Sequence, residues 1–179
     1  MSNFYPYLIS SLPALSFGQE PPFSWEKFCI LCSEFIPEKD FLLLKQASID
    51  PKDYGTQDPG CAVLKKWFSF DTGLRNELAK IRAARKHLEP QVFLRPGLSA
   101  DMAAVHLAHS AQRSPSIPEA EKILDLERWH KLEEFSFGRY FDHDALIAYA
   151  LKLLILLRWQ KAKEAPVAQK LLAEVLQKS

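Results

Sequence analysis

Two short spacings in this sequence hold side chains of the kind that ligate metals. Cys29-x-x-Cys32 matches one half of a zinc site, and His106-x-x-His109 has the residue types for the other half. Thiolate and imidazole are soft to borderline donors, which is why zinc takes them. The two pairs are far apart in the chain, however. Cys29 and Cys32 also fall in a stretch patterned as a helix, where cysteine is ordinarily a small core residue. No thioredoxin-like βαβ context accompanies the pair, which argues against a redox role. A third group, Asp142-His143-Asp144, has the types for metal or acid–base chemistry. Neighbours on a helix point in different directions, so these three would need a special loop to converge on one ion. Helix capping accounts for the aspartates without further assumption. The sequence contains no Walker phosphate loop, dinucleotide glycine fingerprint, nucleophile elbow or HExxH. The expectation is a non-catalytic protein with no catalytic residue, no metal and no cofactor.

Charge gives a second line of argument. Arg75, Lys80, Arg82, Arg85 and Lys86 share a helical stretch and could meet an acidic partner or a phosphate backbone. With 23 basic against 22 acidic residues the net charge is only +1, whereas proteins that hold nucleic acid through phosphates carry a clear basic excess. Nucleic acid is therefore not the expected partner, and a helical adaptor or nucleic-acid-binding module using Arg75–Lys86 is the alternative reading. Lys152 and Arg158 lie in or beside an apolar run and are expected to pair with a carboxylate such as Glu133 or Glu134. Aromatic residues make up 12% of the chain and concentrate in the N-terminal stretch and in Phe135–Phe141, where they suit either core filling or an interface. Exposed contacts to a partner are expected at Arg75, Arg82 and Arg85 and at the corner formed by Tyr140, Phe141 and His143.

These residues must be positioned by helices. The 179 residues, 47% of them hydrophobic, predict an all-α, compact bundle of about six to eight helices forming a single domain over 1–179, with a lobe boundary near 90–98. The opening run Asn3–Trp25 is rich in aromatics and proline and predicts an extended segment with a strand-like piece at Tyr7–Ser10. Ser24 caps a helix that Pro37 ends, and a short helix covers Lys39–Ala47. Apolar spacing through Leu64, Trp67, Leu74 and Leu78 predicts a long helix from about Gly60 to Lys86, with Gly73 a point where it could break. Further helices are expected at Asp101–Ala111, from Pro118 to Gly138, from Asp142 or Asp144 to about Lys163, and after Pro166. The apolar stretch Ala145–Leu157 spans about 13 residues against the ~20 needed to cross a bilayer, so it reads as a core helix. Three cysteines, Cys29, Cys32 and Cys61, do not look like a disulfide framework, and the N-terminus lacks a basic segment followed by an unbroken apolar run. A reducing, cytoplasmic setting is expected.

Three segments carry a family resemblance: YLISSLPALSFGQEPPFSWEKF (Tyr7–Phe28), LRNELAKIRAARKH (Leu74–His87) and YFDHDALIAYALKLLILLRW (Tyr140–Trp159). The chain resembles a small bacterial family of initially unknown function whose members accompany V/A-type rotary ATPases. Those members look like a shortened form of the ATPase's C component, called d in eukaryotic enzymes. The C component is an all-helical socket between the central stalk and the membrane ring of proteolipid subunits. The resemblance therefore implies a non-catalytic coupling role, with central-stalk and ring subunits as partners and a location at the inner membrane through the ATPase complex. It implies no catalytic residue. The C component is far longer and three-lobed, so this chain corresponds to part of that funnel.

Overall fold

The structure is a computed structural model. It describes residues 4–50, 52, 54, 59–96 and 102–177, with side chains through 165. About 70% of the chain is helical, in seven α-helices, with no strand among the described residues. They are α1 (Pro6–Ser11), α2 (Trp25–Phe35), α3 (Glu38–Leu44), α4 (Ala62–Arg85), α5 (Met102–Gln112), α6 (Ile117–Phe135) and α7 (His143–Gln177), with a 3-10 turn at Pro90–Phe93. Residues 97–98 of the expected lobe boundary lie outside the described residues.

Three of these helices, α2, α6 and α7, begin at a side-chain cap. Ser24 Oγ accepts from the Lys27 amide at 3.3 Å, Ser116 Oγ from the Glu119 amide at 3.4 Å, and Asp142 Oδ1 from the Ala145 amide at 3.0 Å. Each supplies an acceptor to one of the amides that a helix start leaves without a partner. At the end of α4 the Leu88 amide bonds to the Ala83 carbonyl and the His87 amide to Ala84, with His87 in the left-handed region at φ 54°. That is a Schellman ending, with a histidine where glycine is usual.

Three local expectations change. Tyr7–Ser10 is helical, not strand-like: Pro6 occupies the first turn of α1, where its missing N–H costs nothing, and Leu8 is fully buried. Gly73 does not break α4; it is buried on the packed side of the helix, where tertiary contacts outweigh its ~1 kcal/mol propensity cost. Pro166 does not start a new helix, since α7 continues to Gln177. A proline removes one bond from the i to i−4 ladder, and the neighbouring bonds can carry the helix across it.

α7 is central to the larger of two apolar clusters. Leu146, Ile147, Ala150, Leu151 and Leu153 pack with Phe28 and Cys32 of α2, Leu44 of α3, and Leu64 and Trp67 of α4. The smaller cluster joins the second half of α4 (Leu74, Leu78) to Ala104, Ala108 and Ala111 of α5 and Leu124 of α6. Small alanines let α5 lie close against α4.

Between these clusters runs a buried ionic network. Asp71 of α4 accepts from Tyr54 Oη (2.8 Å), Arg75 Nε (2.6 Å) and Arg128 Nε (2.7 Å). Arg128 also donates from Nη1 to Asp125 at 2.9 Å, and Asp125 accepts from Trp159 Nε1 at 2.8 Å and from Arg158. α4, α6 and α7, which also share apolar contacts, are thereby tied by a polar bridge as well. Burial by itself would raise the Asp71 carboxyl, but the Arg128 and Arg75 guanidiniums outweigh it and hold the group below its ordinary value of 3.8. A carboxyl lowered on folding contributes stability that is complete above its unfolded pKa and is lost as pH falls through the folded one. The midpoint of urea unfolding is therefore expected to drop below about pH 5, and to drop less steeply in Asp71→Asn. Parallel pH slopes for the two proteins would show that Asp71 is not the group responsible.

Candidate functional site

The most distinctive surface lies where α6 turns into α7. Gly138 adopts φ 77° and reverses the chain, a conformation open to glycine without a Cβ penalty. The turn leaves Phe137 84% and Tyr140 67% exposed, and Phe141 meets the exposed Phe4 edge-on at 5.8 Å. Near the chain's start, Tyr7 of α1 is 74% exposed and packs at a tilt on Phe35, 5.5 Å away. Singly exposed apolar residues are ordinary on a protein surface, whereas exposed aromatics grouped at one turn suit an interface.

A polar layer beneath holds this corner in shape. The Tyr5 amide donates to the Phe141 carbonyl at 2.6 Å, next to an isolated antiparallel bridge between Phe4 and Asp142. The Tyr5 hydroxyl donates to the Asp40 carboxylate, and His143 Nε2 lies 2.9 Å from the Asp40 carbonyl. Arg139 Nη1 reaches Asp142 Oδ2 at 3.0 Å and Asp144 Oδ2 at 2.8 Å. Asp144 also accepts from the Cys61 thiol at 2.9 Å. Burial first, and then this hydrogen bond, pushes the Cys61 thiol up to about 12, so it is neutral at physiological pH and poor as a nucleophile.

Residues 97–177 match a family model. Its description is "Protein of unknown function (DUF2764)". The matched span holds α5, α6 and α7, with the Phe137–Asp144 corner inside it, and is somewhat under half of the chain. Of the three segments that carry the resemblance, Tyr140–Trp159 falls within the match and the other two precede it. The description names no activity and no partner. No curated protein matches the chain, and no solved structure does.

The structure separates the residues singled out by sequence. Tyr140 and Phe141 are exposed, but His143 is only 7% exposed and turns inward to Asp40, so it is not a surface contact. Arg82 and Arg85 are exposed on α4. Arg75 instead folds onto Asp71 and donates to the Ile49 carbonyl at 3.1 Å, because an isolated buried carboxylate would be far costlier than a partly covered arginine. Lys80 pairs with Glu77 on the same helix. Lys152 finds Glu133 at 3.1 Å as expected, whereas Arg158 goes to Asp125.

Cys32 belongs to the core around α7, while His106 and His109 lie on α5, which packs against the other cluster. These pairs do not assemble into one site. Asp142-His143-Asp144 divides in the manner helix geometry requires: Asp142 caps and pairs with Arg139, while His143 and Asp144 turn inward. Asp144 is not the cap; it binds Cys61 and Arg139. A cleft of about 350 Å³ lies between the Phe17–Pro21 turn and Trp159 and Lys163 of α7. Its described lining contains no Cys, His, Ser or Asp.

Proposed function

We propose that this protein is a non-catalytic helical coupling subunit of a V/A-type rotary ATPase, similar to part of the C component, and that it docks through the aromatic corner at Phe137–Phe141. The observation that carries the reading is the exposed aromatic surface on a hydrogen-bonded turn. Aromatic side chains are the usual anchors of interfaces. The resemblance of the three segments to the ATPase-associated family supplies the partner. The all-helical architecture agrees with a socket-like part. No helix among the described residues is long and apolar enough to cross a membrane, so attachment to the inner membrane in this reading runs through the protein partners.

The test is affinity isolation of the tagged protein from its native membranes in mild detergent, with identification of the co-purifying chains. Central-stalk or ring subunits are expected in near-equal amount. The Phe137→Ser, Tyr140→Ser double variant should keep its stability within about 0.5 kcal/mol, since both side chains are largely exposed. It should nevertheless lose binding by about 30-fold or more, as the loss of an interface anchor does. Recovery of no ATPase subunit from an extract in which the ATPase is intact removes the coupling role. Undiminished recovery with the double variant moves the interface to another face.

A further inference from the structure

Cys61, His143 and Asp144 are all buried, and each places one donor atom within 4.8 Å of the other two. They arrive from distant parts of the chain. Cys61 precedes α4, and His143 and Asp144 open α7. A thiol, an imidazole and a carboxylate together make the mixed sulfur, nitrogen and oxygen donor set that zinc accepts.

The surroundings favour ligation. A carbonyl oxygen only accepts, so the 2.9 Å contact from His143 Nε2 to the Asp40 carbonyl places the ring proton on Nε2. In the neutral ring the lone pair then resides on Nδ1. A histidine that binds a metal through one nitrogen commonly donates from the other to a backbone carbonyl, and this fixes both tautomer and ring orientation. Asp144 follows the same pattern: Oδ2 accepts from Arg139 at 2.8 Å while Oδ1 faces Cys61. Two of the three donors thus already have the supporting contacts that metal ligands need.

We propose that Cys61, His143 and Asp144 form a binding site for one divalent transition-metal ion, zinc above all. Sγ, Nδ1 and a carboxylate oxygen take three tetrahedral positions, and water takes the fourth, as in zinc sites with three protein ligands. Zinc bonds of about 2.0 to 2.3 Å put tetrahedral ligand atoms roughly 3.3 to 3.6 Å apart. The Cys61–Asp144 contact, 2.9 Å as a hydrogen bond, opens slightly to reach that spacing, and a ring nitrogen of His143 lies within 4.8 Å of both donors. On loading, the S–H bond of Cys61 breaks, its proton passes to solvent, and the sulfur electron pair forms the bond to the metal. No electron is transferred. The thiolate, Asp144 and Asp142 then bring three negative charges, matched by one positive charge on Arg139 and two on the ion. Arg139, which pairs with Asp144, has a side chain 38% exposed. The ion joins the start of α4 to the start of α7, at the foot of the aromatic corner.

Cobalt(II) titration of the metal-stripped, reduced full chain tests this. One equivalent is expected to produce a thiolate-to-cobalt charge-transfer band in the near ultraviolet with intense visible d–d bands, both bleached by zinc. Cys61→Ser should abolish the charge-transfer band, Cys29→Ser should retain it, and His143→Gln should weaken cobalt binding by about tenfold or more. The proposal is overturned by the absence of a band in the parent chain, by its survival in Cys61→Ser, or by its loss in a folded Cys29→Ser. If circular dichroism shows Cys61→Ser unfolded, Asp144→Asn, which preserves size and hydrogen bonding, replaces it. Cobalt affinity unchanged in that variant equally overturns the site.

Discussion

Arg128→Ala is expected to lower the unfolding free energy by about 3 to 5 kcal/mol, the cost of breaking a buried ion pair by removing one partner. For a chain of this size that is a fall in Tm of roughly 10 °C or more. Arg128 is 4% exposed, and its guanidinium bridges Asp71 Oδ1 and Asp125 Oδ1, both on fully buried side chains. Truncation leaves two carboxylates facing one another across a cavity. Each keeps some support, Asp71 from Arg75 and Tyr54, Asp125 from Trp159 and Arg158, which is why the loss should not exceed that range. Arg128→Lys isolates the role of geometry. Lysine restores the charge, but its three N–H groups radiate from a single nitrogen and cannot occupy the two positions from which Nε and Nη1 donate, so only part of the loss should be recovered. Equilibrium urea unfolding of the three proteins decides the matter. An Arg128→Ala stability within about 1 kcal/mol of the parent would mean that water or rearranged arginines replace the bridge.

That network also marks where the sequence could have been read further. Leu64, Trp67, Asp71, Leu74 and Leu78 recur at helical spacing, so Asp71 sits on the apolar stripe of α4. Asp125 and Arg128 likewise interleave with Leu124, Trp129 and Leu132 on the inward side of α6. A carboxylate on one stripe and an arginine on another are a local signal of a buried pair, yet the usual exposure of charged residues points the other way. α2 was legible because its capping serine and apolar period agree, α6 because Pro118 and the apolar period do, and α4 from its apolar period alone. α1 was not, because its prolines and aromatics resemble a loop and only the burial of Leu8 makes the helix worthwhile. The aromatic corner was visible as the composition of Phe135–Phe141. Cys61 was not visible as a partner of His143 and Asp144: it is more than 80 residues away, and nothing local to either end announces the contact.

Trp67→Ala is expected to cost about 3 to 5 kcal/mol, for a reason distinct from that of Arg128. Trp67 is the largest fully buried side chain and packs where α4 meets α7, with Phe70 tilted against it at 6.5 Å. Its removal leaves a cavity among Leu and Ile side chains that helices of this length close only partly. The indole also donates from Nε1 to the Ser48 carbonyl at 2.9 Å, anchoring the chain as it leaves α3. Trp67→Phe separates the two contributions: most of the apolar volume stays, while the carbonyl loses its donor. A loss of about 1 to 2 kcal/mol is expected for Phe, with the remainder appearing only in Ala. If Phe and Ala prove equally destabilising, the hydrogen bond to Ser48 dominates and the core around α7 is more accommodating than its packing indicates. If Phe matches the parent, the Ser48 carbonyl finds solvent, and α4 is held at this point by apolar contact alone.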